Sequence, residues 1–327
     1  MDGYINQVSP SHGAGKNIGD PNKKAGKTDR CHISNKHSFV EIFNNSLSLS
    51  CSDEETIDLR LMNCINDKYV KNLQFIVCDL SKFIVKRFAS DYAIEKIVIK
   101  YTLKFEHDDL SLNSDTRRFY NDKKTFNFES ASFVNMSSLK YLEIKNVRTF
   151  EIFNLSFHGD FSLISLKIRN YNFTLFQHRP FEQLKNLFEL RVNFGTLKAL
   201  PEELFYGLYN LKTLDLRVNL IEFVHLLAFR HLSLLEQLNL EENPITSLAE
   251  DLLKGLWNLT ILAISGKFSE LRSVFLKELD NLTEFRASYF PLLRIEEDFF
   301  SHSINLRKVA FDHNDVLHLP SNLLKNK

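Results

Sequence analysis

Long apolar runs, an excess of charge of one sign and evenly distributed cysteines are all missing from this sequence of 327 residues. No stretch of about 18 consecutive apolar residues occurs, so we expect no membrane-spanning segment in this chain. Lysine plus arginine equals aspartate plus glutamate at 41 each, which argues against a global field that attracts nucleic acid or an anionic membrane. Recognition by charge must therefore come from local patches.

The first thirty residues are rich in glycine, lysine, asparagine and aspartate, and they lack the apolar core of a signal peptide. We expect residues 1–30 to form a disordered tail. The run A-G-K-T at residues 25–28 resembles part of a phosphate-binding loop, but Pro21 stands where that loop needs a glycine. Histidines are scattered and carboxylate pairs fall in predicted turns, so we expect no enzyme, no metal and no cofactor.

All four cysteines, Cys31, Cys51, Cys64 and Cys78, fall in the first quarter of the chain. An even, clustered set favours a disulfide-stabilised cap in an oxidising compartment, with three pairings open. The alternative is four reduced thiols in a cytosolic protein. A zinc site is not expected, because no two cysteines have the short spacing of zinc ligands.

A 24-residue repeat dominates the sequence from Leu139 onward. The pattern L-x-x-L-x-L-x-x-N-x-L recurs in steps of 24 residues with one step of 23, and its opening leucines are Leu139, Leu163, Leu187, Leu211, Leu235, Leu259, Leu282 and Leu306. The L-x-L alternation predicts a short strand with inward leucines, which one repeat cannot bury alone. The sequence therefore predicts an α/β repeat solenoid: a leucine-rich-repeat horseshoe with short parallel strands on the concave face and an irregular N-terminal cysteine cap.

Two further positions of the repeat carry information. Six residues before each opening leucine stand Phe133, Phe157, Phe181, Phe205, Phe229, Leu253, Leu276 and Phe300, which predict a packed column inside the solenoid. Eight residues after each opening leucine, an asparagine is expected to bond the backbone of adjacent repeats. It is present only at Asn219, Asn243 and Asn314, and its loss elsewhere predicts a less regular coil.

Weaker copies of the repeat precede Leu139. Leu73 and Ile97 lie 24 residues apart at strand positions, and Ile97 matches Leu142 after 45 residues. We divide the chain into the tail (1–30), a cysteine-containing cap with a strand at Thr56–Cys64 (31–92), an irregular first repeat with a polar insertion at about 106–125 (93–138) and eight repeats (139–327). The array stops without a polar or cysteine-rich terminator, so we expect the chain to be a fragment.

The cap strands I-D-L-R-L-M-N-C and V-K-N-L-Q-F-I-V-C-D-L, with repeats such as L-P-E-E-L-F-Y-G-L-Y-N-L, resemble the ectodomains of insect Toll receptors from about Cys51 onward. The resemblance implies part of a receptor for innate immune or developmental signalling. It also implies a Spätzle-type cystine-knot cytokine as protein ligand, receptor dimerisation, and a place on the extracellular face of the plasma membrane or secretion. No nucleic-acid partner is expected. The membrane helix and TIR domain of that family are not in this sequence.

Outward strand positions are where a partner would bind. The candidate ligand-facing residues are Lys167, Arg169, Arg191, Asp215, Arg217, Glu236, Glu241 and Glu242. The four cations predict a basic stripe across adjacent coils and the three glutamates an acidic neighbour, a bipolar face that could steer a charged protein. The alternative is a solvated surface whose charges serve solubility.

Six sequons, at Asn44, Asn135, Asn154, Asn172, Asn258 and Asn281, are candidate glycosylation sites, although composition alone predicts about four. Three hypotheses remain for the whole chain. The first is a receptor-type ectodomain portion that binds a protein. The second is a secreted leucine-rich-repeat scaffold or decoy without a signalling domain, and the third is an intracellular repeat scaffold.

Overall fold

The computed structural model describes residues 39–43, 46–50, 71–76, 94–100, 132–134, 137–147, 156–158, 161–171, 179–290, 294–314, 319–321 and 323–324. The chain divides into two units, residues 1–32 and 33–327, and all described residues belong to the second. The four cysteines, the strand predicted at 56–64, the polar insertion and the sequons at Asn44, Asn135, Asn154 and Asn172 lie outside the described residues. The cap and its disulfides therefore remain predictions.

Twelve strands of the described residues form the main sheet. In sheet order they are β1 (Phe39–Phe43), β2 (Ser46–Ser50), β3 (Asn72–Ile76), β4 (Lys96–Lys100), β6 (Tyr141–Val147), β8 (Ser165–Tyr171), β9 (Glu189–Asn193), β11 (Thr213–Asp215), β13 (Gln237–Leu240), β14 (Ile261–Ile264), β16 (Glu284–Ala287) and β18 (Lys308–Ala310). All neighbours from β2 onward pair in parallel. Leu73 pairs with Ile97 and Ile97 with Leu142, which confirms the predicted register.

Smaller elements lie between the main strands. The part of the chain that the structure describes has three parallel pairs: β5 (Ser132–Val134) with β7 (Ser156–His158), β10 (Ala199–Leu200) with β12 (Phe223–Val224), and β15 (Glu270–Leu271) with β17 (Arg294–Ile295). Within the described ranges the one helix is a 3-10 helix, Ser273–Leu276. The leucine-rich-repeat class is confirmed as a parallel-strand solenoid with almost no helix, because turns rather than α-helices return the chain from strand to strand.

The first two strands form a hairpin that the 24-residue period did not predict. β1 and β2 pair antiparallel, from Phe39 with Ser50 to Phe43 with Ser46, and β2 continues in parallel onto β3. Two residues separate these alternating runs in the sequence, F-V-E-I-F and S-L-S-L-S. That spacing is typical of a hairpin and could have predicted it.

Backbone hydrogen bonds join each repeat to the next in the same way. The carbonyl of the residue after the opening leucine accepts two N–H groups from the following repeat. Ile164 O, for example, accepts from Phe188 N at 2.9 Å and from Glu189 N at 3.0 Å. The pattern recurs from the carbonyl of Lys71 to that of Thr283, and it fixes the register of one strand on another.

The core is built from columns of equivalent residues. Opening leucines such as Leu187, Leu211 and Leu235 are 0% exposed. The column six residues earlier is also buried, with Phe181, Phe205 and Phe229 each at 1%, and the Phe205 and Phe229 rings stack with centroids 6.0 Å apart. The prediction that these phenylalanines pack the interior is confirmed for the described members of the column.

Asparagines at the consensus position, the inner asparagines, bond the backbone of neighbouring repeats as predicted. Asn243 Nδ2 donates to Leu216 O and Leu240 O, both at 3.0 Å, and its Oδ1 accepts from Ile221 N at 3.2 Å. Asn243 is 3% exposed, so these groups have little access to water. One amide thus satisfies three backbone groups of two adjacent repeats.

Two repeats that lack the inner asparagine share one substitute. Tyr171 occupies the position in β8, and its hydroxyl donates to Asn219 Oδ1 at 2.5 Å, two repeats away. The repeat between them has Gly195, and a Cβ there would lie 2.2 Å from the Tyr171 ring. Burial raises the pKa of Tyr171 well above its usual range, so its hydroxyl stays protonated. Where the missing asparagines predicted a less regular coil, the Tyr171 side chain extends past Gly195 and bonds Asn219 instead.

A second set of asparagines, the flank asparagines, immediately precedes the opening leucines. Each donates from Nδ2 to a carbonyl of the preceding repeat at 2.8–2.9 Å, and they are Asn186, Asn210, Asn258, Asn281 and Asn305. Asn258 and Asn281 are the two described sequon asparagines, and both are exposed. They share this geometry with the three asparagines outside sequons, which gives them a structural role that does not depend on a glycan.

Replacing Gly195 with alanine should destabilise the protein through the Tyr171 ring. We expect Gly195→Ala to lower the free energy of unfolding by about 1–3 kcal/mol, because the new methyl group overpacks a buried site. Denaturant unfolding measures the effect. In a Tyr171→Ala background, the loss of unfolding free energy caused by Gly195→Ala should be smaller than in the parent protein by at least about 1 kcal/mol. Additive effects of the two substitutions would contradict the contact.

The two sets of asparagines should differ in their contribution to stability. Asn243→Ala removes hydrogen bonds to three buried backbone groups, and we expect a loss of about 2–3 kcal/mol. Asn258→Ala removes one exposed hydrogen bond, and we expect a loss below about 1 kcal/mol. Chemical denaturation of both variants beside the parent protein provides the measurement, and equal losses would count against the burial argument.

Candidate ligand-binding face

The outer face of the main sheet carries the residues two, four and six positions after each opening leucine. These side chains alternate with the buried leucines, as in β9, where Glu189 and Arg191 are partly exposed and Leu190 is buried. On β6, β8, β9 and β11, and two residues beyond the end of β11, this face carries five basic and three acidic residues, Glu143, Lys145, Lys167, Arg169, Glu189, Arg191, Asp215 and Arg217. The predicted basic stripe therefore lies on one face, with carboxylates interspersed.

Glu189 is the centre of a polar cluster that joins β8 and β9. Its carboxylate accepts a hydrogen bond from Ser165 Oγ at 2.6 Å, and it pairs with Lys167 Nζ at 2.9 Å and Arg191 Nε at 2.5 Å. Partial burial alone would raise the pKa of this carboxyl. The hydrogen bonds from Ser165, Arg191 and Lys167 outweigh that effect and lower its pKa to about 2. Lys167 and Arg191 are therefore held in place on the face.

Asp215 has a different role from the one expected. It was expected to face a ligand, but it is only 4% exposed. Its carboxylate accepts from Asn193 Nδ2 at 2.9 Å and from the backbone N of Arg217 at 3.2 Å, and Arg191 Nη1 lies 3.3 Å away. These contacts cover the carboxylate, so Asp215 anchors its neighbours beneath the outer face.

Glu236 of the expected acidic patch lies apart from Glu241 and Glu242. Glu236 precedes the strand and pairs with Lys212 at 2.7 Å, whereas Glu241 follows the strand and accepts a bond from Asn239 at 3.4 Å. Five strand residues extend about 16 Å, so these two carboxylates are not neighbours. Glu242 has a positive φ of 54°, and its backbone N bonds Ser265 Oγ at 2.8 Å. Charge on this side is instead mixed, with Arg286 pairing with Glu284 at 2.6 Å.

The sequence-based prediction left out several residues of the outer face. It covered the positions four and six residues after each opening leucine, but not the position two residues after it. The first outward column, two residues after each opening leucine, contributes Ser165, Glu189 and Glu284. The L-x-L alternation already implies that this position points outward, so the sequence held the signal. The role of Asn193, which is fully buried beside Asp215, had no such signal, because its partner belongs to another repeat.

Other kinds of site are missing from the part of the chain that the structure describes. These residues contain no group of three or more His, Cys, Asp or Glu side chains arranged to hold a metal ion. None of their helices is long and apolar enough to cross a membrane. A cavity of about 270 Å³ opens beside Tyr141, between Lys96, Glu143 and Lys167, on the N-terminal part of the outer face.

Sequence and structure comparisons agree on the repeat. A family model described as leucine rich repeat matches residues 185–245 and, overlapping them, 210–267. No curated protein matches the sequence. A crystal structure of a TLR13–ssRNA13 complex is similar with a TM-score of 0.59 and 18% identity, over 85% of this chain and 37% of that one. This similarity shows a shared leucine-rich-repeat fold.

Two other solved structures show weaker similarity. The Toll–Spätzle complex from Drosophila matches with a TM-score of 0.45 and 13% identity, over 86% of this chain and 45% of that one. The protein LIC12759 of Leptospira interrogans matches with a TM-score of 0.49 and 19% identity, over 83% and 67% respectively. The chain thus spans less than half the length of the TLR13 and Toll chains. The expectation that nucleic acid is not a partner receives no support, since the TLR13 structure is an RNA complex.

The low pKa of Glu189 predicts a pH dependence of stability. Folding lowers this pKa from 4.5 to about 2, so the stabilisation is present above about pH 4.5 and is lost as pH falls toward 2. As pH falls over that range, we expect the melting temperature of Glu189→Gln to decrease less than that of the parent protein. Glu297→Gln, a change at an exposed turn residue, is the control and should follow the parent curve. Parallel curves for parent and Glu189→Gln would contradict this assignment.

Proposed function

We propose that this chain is the ligand-binding ectodomain portion of a Toll-like receptor and that it recognises a protein through its outer face. The leucine-rich-repeat fold supports an ectodomain, and the polar cluster on β8, β9 and β11 supports the site. The resemblance of the cap and repeats to insect Toll receptors favours a Spätzle-type cystine-knot cytokine as ligand. In this proposal the protein acts outside the cell, in innate immune or developmental signalling.

The observation that carries the proposal is the preorganisation of the charged cluster. Glu189 holds Lys167 and Arg191 at 2.9 and 2.5 Å, and Asp215 holds Arg191 and Asn193 from below. Exposed ion pairs contribute little to stability, typically up to about 1 kcal/mol. A contribution to stability alone therefore does not account well for this charged cluster. Cations already fixed on a rigid sheet lose less conformational entropy when a partner binds.

A secreted scaffold or decoy without a signalling domain is the second candidate. It would use the same outer face, since the binding chemistry does not depend on a signalling domain attached to the repeats. A binding assay does not distinguish these two functions, but a signalling assay in cells does. Fusing the chain to a membrane helix and TIR domain should give ligand-dependent signalling if the receptor proposal holds, and ligand capture without signalling favours the decoy.

Charge reversal on the outer face tests the proposed site. We expect Lys167→Glu combined with Arg191→Glu to weaken binding of a Spätzle-type dimer at least tenfold, as measured by surface plasmon resonance. The two cations that pair with Glu189 become carboxylates, so the local positive charge is lost. Lys254→Glu, a single charge reversal at an exposed turn position away from the sheet, is the control and should bind like the parent. Unchanged binding by the double variant would reject the site. Binding of single-stranded RNA in place of the protein would reject the protein ligand.

A further inference from the structure

Arg169 and Arg217 flank the same buried asparagine on the outer face. Arg169 is the third outward residue of β8 and pairs in register with Asn193 of β9. Arg217 holds the equivalent position in the next repeat, following β11, and Phe194 N bonds its carbonyl at 3.2 Å. Adjacent strands lie about 4.8 Å apart, so the two arginines attach about 10 Å from each other. Asn193 lies between their attachment points and is 0% exposed.

Both arginines leave a buried donor without a hydrogen-bond partner. Nε of Arg169 and Nε of Arg217 are each buried and unbonded, and Asp215 Oδ2 lies 3.7 Å from the second, beyond hydrogen-bond distance. The Asn193 Oδ1 is also buried and unbonded, while its Nδ2 donates to Asp215. Unmet donors and acceptors of this kind cost free energy, and a ligand that satisfies them recovers that cost on binding.

The charges around the pair leave a net positive site. Glu189 pairs with Lys167 and Arg191, and Asp215 with Arg191 and Arg217. Two carboxylates therefore pair with three cations, and Arg169 is a fourth cation beside them. Among the described residues no ion pair is formed by Arg169. The guanidinium of Arg217 lies 5.4 Å from the Phe194 ring and its side chain is 40% exposed, so it is both supported and accessible.

We propose that Arg169 and Arg217 form a clamp for a carboxylate side chain of the protein ligand, an inference that rests on the proposed function. A planar guanidinium binds a carboxylate through two parallel N–H groups, and two such groups can share one acid. In the proposed complex Asn193 Oδ1, which has no hydrogen-bond partner in the free protein, accepts a backbone N–H of the ligand. An acidic peptide segment supplies both the carboxylate and the N–H donor, whereas a phosphodiester supplies only acceptors.

A model peptide tests the clamp without the natural ligand. The probe is a fluorescein-labelled (Asp-Gly)₃ peptide, and its (Asn-Gly)₃ counterpart controls for charge. We expect fluorescence anisotropy with the full chain to show at least tenfold tighter binding of the acidic peptide. Arg169→Gln and Arg217→Gln should each weaken it at least fivefold, and Arg169→Lys should restore part of the loss, because charge returns without the planar fork. Thermal melting confirms that each variant is folded.

Matched variants distinguish the clamp from a general attraction between the acidic peptide and the cations of the sheet. Lys212→Gln removes a cation that immediately precedes β11 and already pairs with Glu236, and it should leave peptide binding unchanged. An equal loss with Lys212→Gln, or no loss with Arg169→Gln, overturns the clamp. Arginine-dependent binding of single-stranded RNA that exceeds peptide binding also overturns it. If the Spätzle-type dimer still depends on Lys167 and Arg191 but not on Arg169, only the clamp fails and the proposed function stands.

Discussion

Burial of apolar side chains between stacked repeats is the interaction on which the rest of this protein depends. A single 24-residue unit has one short strand and a turn segment, and it has no second layer against which to bury its leucines. Leu190 and Phe205 become fully buried only because equivalent residues of the next repeat lie against them. The shared carbonyl of the residue after each opening leucine then fixes the distance and register between neighbours.

That dependence separates the roles of the repeat positions. Inward columns are restricted to apolar residues, and the inner asparagine position to groups that satisfy buried backbone. Where the asparagine is absent, the solution involves more than one repeat, as Tyr171, Gly195 and Asn219 illustrate. Outward columns carry no such restriction, and polar chemistry accumulates there on a rigid support. The cluster around Glu189 and Asp215 illustrates how neighbouring repeats then hold one another's side chains.

Much of the architecture could be predicted because it depends on local periodicity. The 24-residue step predicted the strands, their parallel order and the packed phenylalanine column, and even the weak copies at Leu73 and Ile97 pair as expected. The hairpin of β1 and β2 was missed because it lies outside the 24-residue period and is signalled only by local alternation. The low helix content was not anticipated either, since the same spacing accommodates turns as well as a helix. The cap, the disulfides and insect Toll membership stay predictions.

The sequence by itself determined which residues face inward and which face outward, because side-chain direction follows from the two-residue period of a strand. It thereby placed Lys167, Arg169, Arg191 and Arg217 on one face. Only the tertiary structure decided what each of them does there. Asp215 is buried, Glu236 is distant from Glu241, and Glu189 holds two of the cations, since these outcomes depend on contacts between residues some 24 positions apart. Periodicity fixes direction, but charge pairing is a property of the assembled sheet.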